Sequence, residues 1–215
     1  MDLKQTGSRI VSLNTACAGF CTALACADGL IRSGQARKAL VIGADKATAW
    51  LDWTDRDTAI LFGDGAGAAV VSFAEQAGIG PVVWGSFGDR AAEKIEISPS
   101  RLVLRQDGKA VFRWATSLAP FARQACEAAG VDPARLSAFV PHQANGRIID
   151  ALARGLGVEG ATVAYDVAEA GNTIAATIPM ALARLMEQGR IHPGDLILLL
   201  GFGAGLAYAG QVIRL

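Results

Sequence analysis

The sequence predicts an α/β fold, and two observations support this prediction. Short runs made almost entirely of apolar residues recur at positions 39–44, 136–140 and 196–200, as is typical of strands buried on both faces. Longer segments with a helical spacing of apolar residues lie between these runs. Hydrophobic residues make up 52% of the 215 positions, which is enough to bury a substantial core in one large domain or two small ones.

The first predicted unit is a strand, a tight turn and a buried helix. Residues 9–13 form a short apolar run, and Asn14 to Phe20 form the turn that leads into the helix. The helix begins at or near Cys17 and ends at Gly34. A thiol at a helix start lies close to unpaired backbone N–H groups and to the positive end of the helix dipole, and both favour the thiolate. An ionised Cys17 is therefore one interpretation of the turn, but this stretch alone favours the other, a small buried cysteine without a role.

Two glycine-rich segments, Gly63–Gly67 and Gly201–Gly205, have the composition of nucleotide-binding loops but not their context. Each precedes a predicted strand, at 68–71 and 207–213, whereas a phosphate-binding loop precedes a helix. We therefore expect these glycines to permit a close approach of backbone to backbone, or of backbone to a ligand.

The remaining elements alternate between strands and helices. After the first helix, the pattern predicts a buried parallel-type strand at 39–44 and a loop over 45–57. Residues 78–108 are irregular apart from strands near 82–83 and 102–104, and Pro120 interrupts a helix over 111–129. The later predicted strands cover 136–140, 162–166, 196–200 and 207–213, and the later helices run to about residue 155 and from 171 to 188.

An internal repeat is visible in the spacing. Cys17 to Gly34 spans 17 positions, and so does Asn172 to Gly189. Both intervals are apolar and helical, and a short polar link and an apolar strand follow each of them. The repeat predicts two similar α/β units that carry Cys17 and Asn172 at equivalent places.

Charge and cysteine content narrow the range of functions. Basic and acidic residues both number 20, so the chain offers no electrostatic basis for binding nucleic acid or an anionic membrane. The four cysteines have neither a disulfide framework nor a zinc-site spacing, and the sequence starts without a secretory signal. We therefore predict no metal site and a location in the reducing cytoplasm. The uncharged stretch 196–213 is interpreted as two strands joined by a glycine turn, not as a membrane span.

Three residues with reactive or hydrogen-bonding side chains each follow a predicted strand. They are Cys17, His142 and Asn172, and the carboxyl ends of strands are where sites in α/β proteins gather. Taken separately, His142 is explained as a hydrogen-bonded core histidine and Asn172 as a helix N-cap. Together the three residues supply a nucleophile, a group that handles protons and a second polar donor, which acyl transfer through a thioester requires.

Five motifs in order resemble the β-ketoacyl-acyl-carrier-protein synthase III family of the thiolase superfamily. The resemblance implies a layered α-β-α-β-α fold built from two similar halves, residues 1–110 and 111–215. The first half is incomplete, because the strands and helices that should precede the Cys17 strand are absent. The motifs are Asn-Thr-Ala-Cys17-Ala-Gly-Phe, Phe62-Gly-Asp-Gly-Ala-Gly-Ala, Pro-His142-Gln-Ala-Asn, Gly-Asn172-Thr and the terminal Gly-Phe-Gly-Ala-Gly.

The resemblance also implies roles for the three residues. Cys17 attacks an acyl-CoA primer and holds its acyl group, and the backbone N–H groups of Cys17 and Ala204 form the oxyanion hole. His142 and Asn172 bind the thioester carbonyl of malonyl-acyl-carrier protein. They stabilise the enolate that forms as carbon dioxide leaves, because donors must point at an oxygen that gains charge.

Other positions match the family's substrate contacts. Arg56, Phe62 and Asn145 lie where the family contacts coenzyme A and the substrate, and Arg147 lies where it contacts the acidic carrier protein. The resemblance implies no cofactor beyond these substrates, and it implies a homodimer that initiates fatty-acid or polyketide synthesis.

Departures from the family pattern leave alternatives open. The family commonly has histidine where this chain has Ala170, and a third glycine where it has Ala204. One alternative is an acyltransferase of the same superfamily that does not decarboxylate, or a relative like hydroxymethylglutaryl-CoA synthase, which needs a catalytic glutamate. Another is a truncated, non-catalytic partner of a full-length synthase.

Overall fold

The computed structural model describes residues 9–88, 95–98, 103–158 and 160–215. These residues form an α/β structure of stacked layers, which confirms the fold class predicted from the sequence. The helices are α1 (Gly19–Arg32), α2 (Arg56–Ala59), α3 (Gly108–Thr116), α4 (Ala119–Ala128), α5 (Gly146–Leu156), α6 (Val167–Ala170) and α7 (Thr177–Glu187). The strands are β1 (Lys38–Lys46), β2 (Asp64–Ser72), β3 (Val83–Ser86), β4 (Ile95–Ser98), β5 (Val103–Gln106), β6 (Ala138–Pro141), β7 (Thr162–Val163), β8 (Leu196–Gly203) and β9 (Ala207–Arg214).

The larger sheet has five strands in the order β3-β9-β8-β6-β7. Strand β6 pairs in parallel with β7 and β8, whereas β9 pairs antiparallel with β8 and β3. Because β3 lies before residue 111 but belongs to this sheet, the second half of the layered structure includes a strand from the earlier part of the chain. Two further antiparallel pairs, β1 with β2 and β4 with β5, stand as separate two-stranded sheets.

Alternate residues of β8 show how the layers stack. Leu198 and Leu200 belong to the core that packs against α3, α4 and α5. Ile197 and Leu199 face the other way, into the core that α1 and α7 share with Val41 of β1. Since successive strand residues point to opposite faces, one strand supplies both cores. The order of layers is therefore helices, the five-stranded sheet, α1 with α7, and the β1–β2 sheet.

Helix α5 illustrates how the sequence specifies these elements. Its N-cap is Asn145, whose side-chain oxygen accepts the backbone N–H of Arg147. Its C-cap is Gly157 with φ of 79°, a left-handed conformation that favours glycine. The apolar face between these caps, which includes Ile149 and Leu152, is buried against α3 and α4.

The β1–β2 sheet corrects the prediction of a parallel strand buried on both faces at 39–44. Strand β1 is antiparallel to β2, and only one of its faces is covered. Leu40, Ile42 and Val70 are 61%, 57% and 72% exposed. No helix in the described part of the chain covers this outer face, so four of the five expected layers are present there. An apolar run alone does not reveal how many of its faces find partners.

The predicted strand over 9–13 was wrong. These residues adopt no regular structure, and Ile10 and Val11 are 76% and 67% exposed. A strand exists only where another strand accepts its backbone hydrogen bonds, and no described strand lies alongside this run.

Smaller differences have local causes. The helix predicted over 111–129 is two helices, α3 and α4, with Pro120 in the first turn of α4, where its missing N–H costs nothing. The strand predicted over 162–166 ends at Val163, because α6 begins at Val167. The strand predicted near 102–104 corresponds to β5 from Val103 onward, and Leu102 lies outside the described residues.

The internal repeat is present, but its register differs from the prediction. Asn14 and Asn172 both accept a backbone N–H two residues ahead, from Ala16 and Ile174. Both of these later residues have positive φ, 46° and 55°, and each begins a three-residue 3-10 turn that leads into α1 or α7. Asn14 is therefore the counterpart of Asn172, and Cys17 is the counterpart of Ala175.

Substitution of Gly43 tests how closely the two repeats pack. A Cβ at Gly43 would lie 2.6 Å from the carbonyl oxygen of Ala175, whereas nothing lies within 4 Å of a Cβ at Gly29 in α1. We expect Gly43→Ala to lower the free energy of unfolding by roughly 1–3 kcal/mol, because backbone must move to relieve the overlap. Gly29→Ala, in a helix interior, should raise it by about 0.5–1 kcal/mol. Urea denaturation measures both, and equal stability of the two variants would contradict the described packing.

None of the helices in the described residues is both long enough and apolar enough to cross a membrane.

Candidate active site

One cavity of about 690 Å³ brings the predicted catalytic residues together. Cys17, His142 and Asn172 all line it, although they lie far apart in the sequence. Among the described residues in its wall, three are ionisable, namely Cys17, Asp45 and His142. The rest of the wall is largely apolar and includes Trp50, Leu61, Phe112, Trp114, Ile148 and Phe202.

A strained turn presents Cys17 to the cavity. Ala16, directly before it, has φ of 46°, which is uncommon for a residue with a Cβ, and Asn14 holds this turn by accepting the N–H of Ala16. On the far side, a Cβ at Gly203 would lie 2.9 Å from the sulfur of Cys17. The terminal glycine motif therefore lets β8 pass next to Cys17, as expected for a close backbone approach.

The electrostatics of Cys17 correct the prediction of a thiolate. Burial raises the pKa of the Cys17 thiol to about 12, and the nearby carboxylate of Asp45 contributes to the increase. The backbone N–H groups of Cys17 and Ala204 lower the pKa, but by less than desolvation raises it. The sequence prediction considered only the helix terminus, which stabilises the thiolate. It did not consider desolvation of the sulfur, which destabilises the thiolate and depends on the packing of β8 over the turn.

This raised pKa predicts the pH dependence of alkylation. Because only the thiolate reacts, we expect the rate of Cys17 alkylation by iodoacetamide to rise about tenfold per pH unit from pH 7 to 10, without a plateau. Mass spectrometry of the peptide that contains Cys17 measures the rate separately from the other cysteines. A plateau at or below pH 8 would show that the thiol is ionised near neutral pH, as the sequence predicted.

His142 lies directly after β6 and is buried. Its Nδ1 is 2.7 Å from the hydroxyl oxygen of Thr177, and its ring forms a T-shaped pair with Phe202, with the ring centroids 5.2 Å apart. Burial lowers the pKa of His142 to about 3, so the imidazole is neutral at physiological pH. The neighbouring Gln143 braces the loop, since its side-chain oxygen accepts the N–H of Asp166. The bond on Nδ1 leaves Nε2 as the ring nitrogen for a ligand.

The hydroxyl of Thr177 is coupled to the position of the imidazole proton of His142. Its hydroxyl lies within hydrogen-bonding distance of the carbonyl of Ile174, at 3.0 Å, and of Nδ1. A hydroxyl has one proton, so when it donates to Nδ1 the imidazole proton lies on Nε2, and when it donates to Ile174 the proton lies on Nδ1.

Replacing Thr177 tests this coupling. We expect Thr177→Val to leave Nδ1 without its partner, to change the ¹⁵N chemical shifts of His142 and to lower the free energy of unfolding by about 1–3 kcal/mol. Thr177→Ser, which keeps the hydroxyl, should retain the wild-type spectrum. Identical His142 spectra in wild type and Thr177→Val would contradict this role.

The backbone N–H and the backbone carbonyl of Asn172 both form hydrogen bonds to the segment 61–63. Its N–H donates to the carbonyl of Leu61 at 2.8 Å, and its carbonyl accepts the N–H of Gly63 at 3.0 Å. The side-chain oxygen accepts the N–H of Ile174, which directs this oxygen to the turn and leaves the amide NH₂ as the donor for the cavity. A Cβ at Gly63 would lie 2.3 Å from the carbonyl oxygen of Ala170, so this glycine is needed for the contact.

The other predicted site residues divide into two groups. Ala204, Phe62 and Asn145 line the cavity. Arg56, the first residue of α2, and Arg147, in the first turn of α5, are exposed and do not belong to the wall of the cavity. Their predicted contacts with coenzyme A and with the carrier protein stay predictions.

Two residues of this site were missed by the sequence analysis. Asp45 is a carboxylate directly after an apolar strand run, which is the same signal that identified Cys17 and His142. Thr177 has no such signal, because it lies inside a predicted helix. Among the described residues, no group of three or more histidine, cysteine or acidic side chains is arranged to hold a metal ion.

Two family models match the chain. Residues 11–88 match 3-oxoacyl-[acyl-carrier-protein] synthase III, and residues 126–215 match its C-terminal part. The chain is 54% identical over 213 residues to β-ketoacyl-[acyl-carrier-protein] synthase III 4 of Streptomyces coelicolor, covering 97% of this chain and 67% of that protein. It is 54% identical to β-ketoacyl-[acyl-carrier-protein] synthase III 2 of Streptomyces avermitilis, covering 95% and 66%.

Solved structures agree with these matches. The priming β-ketosynthase of the R1128 polyketide pathway has a TM-score of 0.90 and 46% identity, covering 94% of this chain and 64% of that one. The 3-oxoacyl-[acyl-carrier-protein] synthase III of Aquifex aeolicus has a TM-score of 0.92 and 38% identity, covering 99% and 69%. The chain thus spans about two thirds of the length of the curated relatives it matches. With matches along both parts of the sequence and a fold shared with these structures, the chain belongs to the β-ketoacyl-[acyl-carrier-protein] synthase III family.

Proposed function

We propose that this protein catalyses a decarboxylative Claisen condensation that initiates fatty-acid or polyketide synthesis. An acyl-CoA primer and malonyl-acyl-carrier protein are the substrates, and an acyl group on Cys17 is the intermediate. The observation that supports this proposal is the convergence of Cys17, His142 and Asn172 on one cavity. The names of the relatives agree with it.

In the first step the acyl group moves from coenzyme A to Cys17. The sulfur of Cys17 forms a bond to the thioester carbonyl carbon, the bond from that carbon to the sulfur of coenzyme A breaks, and the thiol proton ends on coenzyme A. Because the Cys17 thiol is protonated in the free protein, this proton leaves as the new bond forms. The backbone N–H groups of Cys17 and Ala204 stabilise the oxygen that becomes negative in this step.

In the second step the malonyl group loses carbon dioxide. The bond between its carboxylate and methylene carbons breaks, and the electron pair moves into an enolate on the thioester. The methylene carbon then attacks the acyl carbonyl on Cys17, the carbon–sulfur bond breaks, and the departing thiolate takes a proton from solvent. Nε2 of His142, which carries the proton when Thr177 donates to Nδ1, and the NH₂ of Asn172 donate to the enolate oxygen.

The cavity wall suits an acyl chain. Its apolar side chains bury the hydrocarbon part of a primer, while Asn145 and Phe62, which also line the cavity, contact the pantetheine arm. Arg56 contacts the nucleotide of coenzyme A, and Arg147 contacts the acidic carrier protein. No resident cofactor takes part in this chemistry. Homodimer formation and a cytoplasmic location belong to the same proposal.

Sequential incubation tests the proposed function. The protein is mixed with acyl-CoA, and its intact mass is measured before and after addition of malonyl-acyl-carrier protein. We expect an acyl adduct on Cys17 that disappears with release of carbon dioxide and formation of a β-ketoacyl-carrier protein. An adduct passed unchanged to the acceptor would indicate acyl transfer without decarboxylation, and no adduct together with tight binding to a longer homologue would indicate a non-catalytic partner.

A further inference from the structure

Asp45 is an acidic side chain beside the nucleophile that the proposed chemistry does not use. It lies near the end of β1, is partly buried and lines the same cavity as Cys17. Its carboxylate raises the pKa of the Cys17 thiol. A negative charge at this place disfavours the Cys17 thiolate. Any favourable contribution of Asp45 to the site must therefore come from another contact.

That contact is with the turn that follows Asn172. The Oδ2 atom of Asp45 accepts the backbone N–H of Ala175 at 2.9 Å. Asp45 belongs to the β1–β2 sheet, whereas Ala175 is 130 residues further along the chain. Gly65, which pairs with Asp45 across β1 and β2, packs against Thr173 of the same turn.

Burial explains why this N–H needs a partner. Ala175, the counterpart of Cys17 in the second repeat, has an N–H that is partly buried and that would lose its hydrogen bond without Asp45.

The turn is therefore tied to the first half of the chain at two points. Leu61 and Gly63 hold the backbone of Asn172, and Asp45 holds Ala175 three residues later. Between these points the side-chain oxygen of Asn172 accepts the N–H of Ile174, whose φ of 55° is strained. Release of the Ala175 anchor would let this strain relax and would move the Asn172 side chain with it.

We propose that Asp45 is a positioning residue that fixes the Asn172 turn by accepting the N–H of Ala175. Its effect on decarboxylation rests on the proposed function, whereas its effects on the turn and on Cys17 do not.

Two variants separate the hydrogen bond from the charge. Asp45→Asn keeps a side-chain oxygen for the N–H of Ala175 and removes the charge, while Asp45→Ala removes both. The ionisable groups in the described wall of the cavity are Cys17, Asp45 and His142, and His142 stays neutral throughout because burial lowers its pKa to about 3. We therefore expect both variants to alkylate at Cys17 about three to ten times faster than wild type at pH 8.

Amide hydrogen exchange, followed by NMR, tests the anchor itself. The Ala175 amide should exchange at least about tenfold faster in Asp45→Ala than in wild type or Asp45→Asn. In the same preparations, Asp45→Ala should decarboxylate malonyl-acyl-carrier protein at least about tenfold more slowly than Asp45→Asn. Asp64→Ala is the matched control, because Asp64 lies at the same end of the hairpin and accepts from Thr48, outside the cavity.

Equal Ala175 exchange in Asp45→Ala and Asp45→Asn would overturn the proposal, whatever the activity. Faster exchange in Asp45→Ala, in a protein whose wild type releases no carbon dioxide, would support the anchor and refute the proposed function. Faster exchange with equal decarboxylation rates in the two variants would overturn the link from the anchor to Asn172.

Discussion

Replacing Cys17 with alanine should abolish the acyl adduct and the condensation. No other described side chain in the cavity wall carries a thiol, so the acyl group has no other sulfur to bond there. His142 and Asn172 do not depend on the sulfur for their own hydrogen bonds, so carbon dioxide release from malonyl-acyl-carrier protein should continue in this variant. Intact mass and trapping of carbon dioxide measure the two outcomes in one reaction.

Cys126→Ala is the matched control for Cys17→Ala. Cys126 is also buried, and burial raises the pKa of its thiol to about 11, but it lies in the core between α4 and its neighbours. This variant should acylate like wild type. Persistence of the adduct in Cys17→Ala would place the nucleophile elsewhere and would remove the basis of the proposed mechanism.

Replacing Asn172 with alanine should slow decarboxylation by about a hundredfold or more, which is the usual loss when one donor to a developing oxyanion is removed. Acylation of Cys17 should change far less, because the proposed mechanism assigns the oxyanion of that step to backbone N–H groups of Cys17 and Ala204 and not to Asn172. Single-turnover measurements of the two half-reactions separate these effects.

Asn172→Asp distinguishes donation from turn support. An aspartate oxygen still accepts the N–H of Ile174, so the strained turn keeps its hydrogen bond, but the NH₂ donor is gone. We expect Asn172→Asp to lose decarboxylation as severely as Asn172→Ala. If the aspartate variant retained most of the wild-type rate, Asn172 would act only by holding the turn.

Several features could be predicted from local sequence because their causes are local. The apolar runs that became β6, β8 and β9 are long enough and uniform enough to identify buried strands, and Pro120 marks the break between two helices. His142 directly follows β6, as the sequence predicted, but no described strand precedes Cys17, and α6 lies between β7 and Asn172. The rule that strands bring their carboxyl ends to one edge therefore accounts for the place of His142 and not for the other two residues.

Other features could not be predicted, because they depend on contacts between distant segments. The run at 9–13 has the composition of a strand, but pairing requires a neighbour that the run itself does not specify. The repeat was visible in the spacing, yet its register emerged only from matching hydrogen bonds at Asn14 and Asn172. The equal intervals showed that the two repeats have the same length, whereas which residues are equivalent depends on the backbone conformation of the two turns.

The sequence by itself determined the fold class, the family and the identity of the three residues that line the cavity. Only the tertiary structure decided their protonation states and the hydrogen bonds that hold them in place. The packing of Gly203 against Cys17 removes water from the thiol and keeps it protonated, and Thr177 and Asp45 hold His142 and the Asn172 turn from elements that the spacing did not connect. Desolvation and long-range hydrogen bonds arise when separate segments pack together, so local sequence patterns do not contain them.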